Sequence, residues 1–263
     1  MSGTLYVVAT PIGNLEDWTD RARRVIGEAD LLLAEDTRHT RRLLNHYGIR
    51  VPLESYHDFN ETARAGEVLE RLQSGARIAL VSDQGTPTVS DPGYRLIRLC
   101  RDEGVPVLPI PGPSAVTAAL SVSGLPTNEF YFVGFLPARK EARRRRIEML
   151  RTHSSTLVFY EAPHRLLASL ADMAEILGNR TAFLAREMTK VYEEYLFGPI
   201  SEIASRVKPR GEVVIAVEGS TGDSDPTESQ IEIRDLPRPV LLREIARRLG
   251  VGRRELYEAL YKK

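Results

Sequence analysis

Arg77-Ile78-Ala79-Leu80-Val81 runs straight into Ser82-Asp83-Gln84-Gly85-Thr86-Pro87-Thr88-Val89-Ser90-Asp91-Pro92-Gly93. The first five residues are short enough for a strand. They are too apolar to leave either face in water, as in a parallel sheet covered by helices on both sides. The loop that follows far exceeds the roughly two to six residues an α/β connection needs, so it is expected to do more than connect. Similar short runs at 5–10, 30–34, 105–110, 129–135, 155–160, 181–185 and 212–217 alternate with amphipathic stretches at 17–28, 37–47, 62–73, 91–103, 114–121, 139–151 and 163–177. That alternation predicts an α/β protein.

Ile110-Pro111-Gly112-Pro113 cannot continue a central strand, while Ser114 can cap the helix after it. This divides an N-terminal α/β domain, 1–112, from a second, 113–219, whose longer strand runs suggest a mixed sheet. Residues 220–235 read as a linker, small and polar where they begin. Two short helices, 240–249 and 253–261, joined by Gly250-Val251-Gly252, make 236–263 a small C-terminal helical module of helix-turn-helix type.

The 36 basic and 36 acidic residues cancel, so binding to a polyanion would need a local basic patch. Arg139-Lys140-Glu141-Ala142-Arg143-Arg144-Arg145-Arg146 is the obvious candidate. The single Cys100 excludes an intrachain disulfide and a cysteine-based zinc site. No run approaches the eighteen or so apolar residues of a membrane span, and the N-terminus lacks a basic n-region, so a cytoplasmic location is expected.

Ligands of open α/β sheets bind beyond the carboxyl ends of the strands. The first such loop, Thr10-Pro11-Ile12-Gly13-Asn14, has one glycine where a pyrophosphate cradle needs G-x-G-x-x-G. Rigid Pro11 beside apolar Ile12 suits an uncharged or sulfonium-bearing ligand. Asp83 can accept hydrogen bonds from an amine or a ribose hydroxyl, and Asp91 reads as a helix N-cap with Pro92 at the first helical position. The helix start at Ser114-Ala115 offers N–H groups to a carboxylate. Glu161-Ala162-Pro163-His164-Arg165 and Arg186-Glu187-Met188-Thr189-Lys190 put charge at two further strand ends, as a substrate-facing rim would. Asp36 is either a helix cap or part of a nucleotide site, and His57 either packs or joins that site.

The segments VATPIGNLED, AEDTRHT, SYHDFNE, SDQGTPTVSDPG, PIPGPSA, FYEAPHR and AREMTKVYEE resemble, in that order, those of the ribosomal RNA small subunit methyltransferase I family. The resemblance implies a two-domain tetrapyrrole-methylase-like (class III methyltransferase) fold, with S-adenosylmethionine in the cleft between the domains, and a homodimer. It implies 2′-O-methylation of a cytidine in the decoding region of 16S rRNA, on the small ribosomal subunit. Ile12, Asp83, Thr86, Ser114 and Ala115 match cofactor contacts, as do Phe159 and Tyr160; Pro11 replaces a glycine of the wider fold and counts against a corrin substrate. Asp36, Arg38, Glu187 and Lys190 are expected to converge on the target ribose, with Lys190 or a carboxylate assisting deprotonation. His57, Arg143, Arg144, Arg145 and Arg186 are the expected RNA contacts, and no metal is required. The competing readings are a tetrapyrrole or protein side-chain methyltransferase of this fold, and a nucleic-acid-binding regulator built on the tail.

Overall fold

The computed structural model describes residues 2–221. The linker and helix-turn-helix-like tail read from the sequence lie outside the described residues. Two five-stranded sheets organise the chain.

The first sheet has the order β3-β2-β4-β1-β5 and is parallel throughout. Its strands are β1 (Thr4–Val8), β2 (Leu31–Ala34), β3 (Leu53–Ser55), β4 (Arg77–Val81) and β5 (Val107–Ile110). Helices α1 (Asp20–Gly27), α2 (Thr37–His46), α3 (Glu61–Gln73) and α4 (Tyr94–Asp102) connect them. Alternation explains the apolar runs. Leu31, Leu33, Ile78 and Leu80 point into one core with Leu72 and Leu96, while Leu32, Ala34, Ala79 and Val81 point into the other with Trp18 and Leu44. All four β2 side chains are buried, each leucine worth roughly 1.5–3 kcal/mol.

The second sheet has the order β6-β7-β10-β8-β9. It is mixed: β6 (Phe130–Phe135) lies parallel to β7 (Thr156–Glu161), and β10 (Val213–Val217) runs antiparallel to both β7 and β8 (Thr181–Arg186). The edge strand β9 (Glu194–Pro199) is antiparallel to β8. One face packs on α6 (Lys140–Glu148), α7 (Leu166–Ile176) and α8 (Ile200–Arg206) through Leu157, Phe159, Leu184 and Ile215. The other face packs on α5 (Ala115–Val122), where Val116, Ala119 and Leu120 meet Val158, Phe183 and Val214. Ile12, carried by the loop after β1, joins this last core, so the two sheets share one packed layer.

Three elements escape the sequence reading. β3 has only three residues, too few to show a period. β9 alternates half-exposed aromatics with buried Leu196, and α8 follows it directly. The helix expected from Asp91 starts instead at Tyr94, because Gly93 takes the N-cap place at φ +123°. A Cβ on Gly93 would lie 2.7 Å from Leu80 Cδ2. Gly93→Ala is therefore expected to destabilise by about 1–3 kcal/mol, read as a lower urea midpoint with an unchanged slope.

Candidate active site

Parallel strands deliver their carboxyl ends to one edge of the first sheet, and backbone hydrogen bonds lace those ends together. Thr10 N–H donates to Gly85 O at 2.9 Å and Gly85 N–H returns to Thr10 O at 3.1 Å. The Thr86 hydroxyl donates to Pro113 O at 3.1 Å. The loops after β1, β4 and β5 thereby form one wall of a cavity of about 360 Å³, whose other wall comes from the second sheet and its loops. Such a volume lies within the range of small-molecule sites. Ile12, Val89, Met188, Val213 and Val214 supply apolar lining, with Thr86, Ser114 and Ala115 on one side and Phe135, Tyr160 and Glu161 on the other. The Ser114 side chain does not cap α5, contrary to the sequence reading, so the cavity meets a helix start without a side-chain cap.

Asp91, expected to be a helix cap, lines the cavity instead. Burial pushes its carboxyl up to about 6; a hydrogen bond from Ser82 opposes this, and neighbouring Asp83 and Asp58 add to it. Glu35, half-buried at the end of β2, is raised to about 7 by burial and then by Asp83, Asp91, Asp58 and Asp36. The Tyr160 hydroxyl rises to about 12, through burial and then through Asp91. A carboxyl such as Asp91, titrating near neutrality in the wall of an apolar cavity, is what proton-transfer chemistry requires.

A tight turn after β8 closes the cavity from the side of the second sheet. Glu187 and Thr189 adopt left-handed backbone, φ +52° and +64°. The Lys190 ammonium sits 3.0 Å from Glu187 Oε1 and 3.1 Å from Glu212 Oε2. Partial burial works against the charge on Lys190, but hydrogen bonds to Glu187 and Glu212 raise its pKa and keep it protonated. Glu187, bonded by the Glu212 N–H and by Lys190, is held below the usual carboxylate range. The turn abuts the loop after β1: Asn14 N–H donates to Thr189 Oγ1 at 3.0 Å, and a Cβ on Gly13 would lie 2.5 Å from Lys190 Cγ. Only glycine permits that approach.

Of the expected cofactor contacts, Ile12, Thr86, Ser114, Ala115 and Tyr160 line the cavity. Pro11 precedes the wall residue Ile12, and Asp83 accepts a 3.0 Å bond from Asp36 N–H behind it. Phe159 is a correction: it is fully buried in the core on the opposite face of the second sheet, because adjacent strand residues face opposite ways. The four residues expected at the ribose form two separate ion pairs, Asp36–Arg38 and Glu187–Lys190. The Arg38 side chain is the main cause that keeps the Asp36 carboxyl far below its ordinary range.

Three of the expected RNA contacts are held in ion pairs within the fold. Arg143 is buried and pairs at 2.7 Å with buried Asp172, which Arg144 also reaches at 2.8 Å. Arg144 continues to Glu175 at 2.5 Å. Arg186 is buried against Glu194 at 2.9 Å. These three arginines lock the fold and are not free for phosphate. Arg145 remains exposed. His57 is half-buried in the loop after β3, hydrogen-bonded through its backbone N–H to Asn60 Oδ1 at 2.8 Å. Sequence reading missed Asp91, Glu35, Glu212 and Phe135; the Asp-Pro pair masked the first by its strong capping signature.

The family model for Tetrapyrrole (Corrin/Porphyrin) Methylases matches residues 4–204. A solved uroporphyrin-III C-methyltransferase from Thermus thermophilus, complexed with S-adenyl homocysteine, superposes with a TM-score of 0.55 at 20% identity, over 81% of this chain and 96% of that one. Fold and cavity together define a methylase of this class. The ribosomal RNA small subunit methyltransferase I of Halalkalibacterium halodurans is 49% identical over 86% of this chain and 79% of its own length. The Synechocystis protein of the same name is 42% identical over 97% and 96%. The chain belongs to the ribosomal RNA small subunit methyltransferase I family.

The Arg143–Asp172 pair gives a direct check on the revised role of α6. Arg143→Ala leaves Asp172 with one partner in a buried place and should cost about 3 kcal/mol. Arg145→Ala should change stability by less than about 0.5 kcal/mol. Urea unfolding of both variants distinguishes them.

Proposed function

We propose that the protein transfers a methyl group from S-adenosylmethionine to the 2′-hydroxyl of a cytidine in the decoding region of 16S rRNA, acting in the cytoplasm on the small ribosomal subunit and as a homodimer. The observation that carries this reading is the apolar cavity at the strand ends with Asp91 in its wall. The residues present fit the cofactor. Ile12, Met188 and Val214 suit its apolar parts, and the start of α5 at Ser114 and Ala115 suits its carboxylate. When bound, S-adenosylmethionine supplies a methyl group on a positively charged sulfur, which leaves as a neutral thioether.

The ribose hydroxyl is a poor nucleophile and has to lose its proton as the O–CH₃ bond forms. The proton passes to the Asp91 carboxylate, which is ionised at neutral pH yet far more basic than an exposed aspartate. Lys190, held as an ammonium between Glu187 and Glu212, stabilises negative charge on the oxygen and is not the base. Glu187 positions Lys190, and the Asp36–Arg38 pair holds the first turn of α2 next to the Asp83 loop. Of the expected RNA contacts, Arg145 stays exposed on α6 and His57 sits in the braced turn after β3. Alignment of the nucleophile by these walls supplies much of the barrier reduction, roughly 7–11 kcal/mol in well-oriented systems.

Transfer of tritium from labelled cofactor to undermethylated small subunits, free 16S rRNA and a tetrapyrrole pool tests the substrate. Label surviving alkali in a dinucleotide is the expected result; label only in the tetrapyrroles would reject it. For the base, Asp91→Asn should lower turnover by about 10²–10⁴-fold while cofactor affinity stays near wild type. Wild-type kcat/KM should rise with pH through about 6 and then level. Because the folded carboxyl titrates above its ordinary 3.8, ionising it costs stability from about pH 4 upward, in full above about 6. Asp91→Asn should therefore melt higher than wild type at pH 8, by roughly 2–4 °C for each kcal/mol recovered. Near-wild-type turnover in this variant would remove Asp91 from the mechanism.

A further inference from the structure

We propose that the rim above β2 and β3 docks an unpaired stretch of the RNA substrate, with Arg41 and Arg42 of α2 holding its phosphates and Phe59 stacking on one of its bases. This deepens the function proposed above and rests on it.

The first observation is charge without partners. Helix α2, Thr-Arg-His-Thr-Arg-Arg-Leu-Leu-Asn-His, holds three arginines, two histidines and no carboxylate. Arg38 is engaged by Asp36, but Arg41 and Arg42 are exposed, and among the described residues neither has an ion pair. Several helical arginines elsewhere on the surface are answered within a turn, as Arg24 by Glu28, Arg71 by Glu67, Arg98 by Asp102 and Arg206 by Glu202. A balanced protein that leaves two adjacent arginines unanswered on one helix has a local field there, and phosphate is the ligand such a field recognises.

The second observation is independent of charge. Phe59 is 98% exposed, with its ring edge-on to His57 at 6.0 Å between centroids. Two bonds brace the short turn that bears it: His57 N–H to Asn60 Oδ1 at 2.8 Å and Asn60 N–H to His57 O at 2.9 Å. An aromatic ring held in water by a braced turn forgoes the burial that phenylalanine ordinarily gains. Unpaired bases are the partners that stack on such rings.

Topology puts both features on one rim beside the cavity. β2 and β3 are parallel neighbours in register from Leu32↔Leu53 to Ala34↔Ser55, so α2 and the Phe59 turn leave the same sheet edge. Asp36 N–H anchors the start of α2 to Asp83, one residue before the cavity wall at Gln84. Asp58, next to Phe59, lies close enough to Asp91 to act on its titration. The α6 cluster is largely spent, since Arg143 and Arg144 are committed to Asp172 and Glu175 and Arg146 bonds the Tyr131 hydroxyl.

Full-length Arg41→Glu/Arg42→Glu and Phe59→Ala proteins, assayed by methyl transfer to undermethylated small subunits across a salt series, test this. Charge reversal should raise KM at least ~10-fold, leave saturated kcat and cofactor affinity within about twofold, and flatten the slope of log(kcat/KM) against log[salt] by about 1.4 for two single-strand phosphate contacts. Phe59→Ala should raise KM by roughly 5-fold or more with an unchanged slope, as loss of one stacked base requires. Arg41→Gln/Arg42→Gln, milder to the fold, should move KM and slope in the same direction. An unchanged KM and slope in the arginine variants would overturn the rim, as would a fall in kcat alone. If wild type transfers no label to RNA, the functional reading itself fails. Filter binding of the same variants to free 16S rRNA then decides the rim separately: equal affinity and salt slope in wild type and variants would reject it.

Discussion

Two backbone hydrogen bonds between Thr10 and Gly85 hold the site together. They join the ends of β1 and β4 beyond the point where the strands stop and, with the Thr10 hydroxyl bonded to Ser82 O, fix the two loops to each other. Ile12 is thereby set into the layer between the sheets, against Val116, Val158 and Val214. Gly85 and Thr86 become wall rather than connector, and the Thr86 bond to Pro113 draws in the start of α5. Because the second sheet packs on α5 through its own core, the cavity inherits rigidity from both sheets. A site whose walls are braced in this way can align a nucleophile without reorganising.

Charge is sorted around that frame by function. Carboxyls gather at the ends of β2 and β4, where burial and mutual repulsion keep Glu35 and Asp91 titrating near neutrality. Across the cavity the single ammonium of Lys190 is pinned between two carboxylates, which fixes its protonation and its place. The left-handed residues Thr88 and Ser90 on one side and Glu187 and Thr189 on the other mark the two segments that border this arrangement. Strained backbone of this kind persists where surrounding contacts over-determine it, commonly at working sites. The second sheet, meanwhile, spends Arg143, Arg144, Arg165 and Arg186 on buried or half-buried ion pairs, so a count of arginines says little about where RNA would bind.

Much of the fold was legible because long apolar runs carry their own period. The parallel first sheet, the mixed second sheet and the alternating helices follow from that, and so does the loop after β4 as a cavity wall. Local signals misled where two roles share one signature. Asp91-Pro92 looks like a helix start, but the left-handed Gly93 takes that place and releases the carboxylate to the cavity. Ser114 precedes α5 as a cap would, yet its side chain makes no capping bond. Phe159 and Tyr160 read alike in sequence, and only the facing of the strand separates the core residue from the cavity residue. The run 143–146 looks like a phosphate patch because its partners Asp172 and Glu175 lie some thirty residues away, beyond the reach of any local pattern.

A crystal structure with S-adenosylhomocysteine tests most directly the claim that methyl transfer takes place in the cavity between the sheets. The ligand is expected between Ile12, Thr86, Ala115, Tyr160 and Val214, with the Asp91 carboxylate facing the space beside its sulfur. A ligand bound elsewhere, or an Asp91 side chain turned away from the ligand, would contradict it.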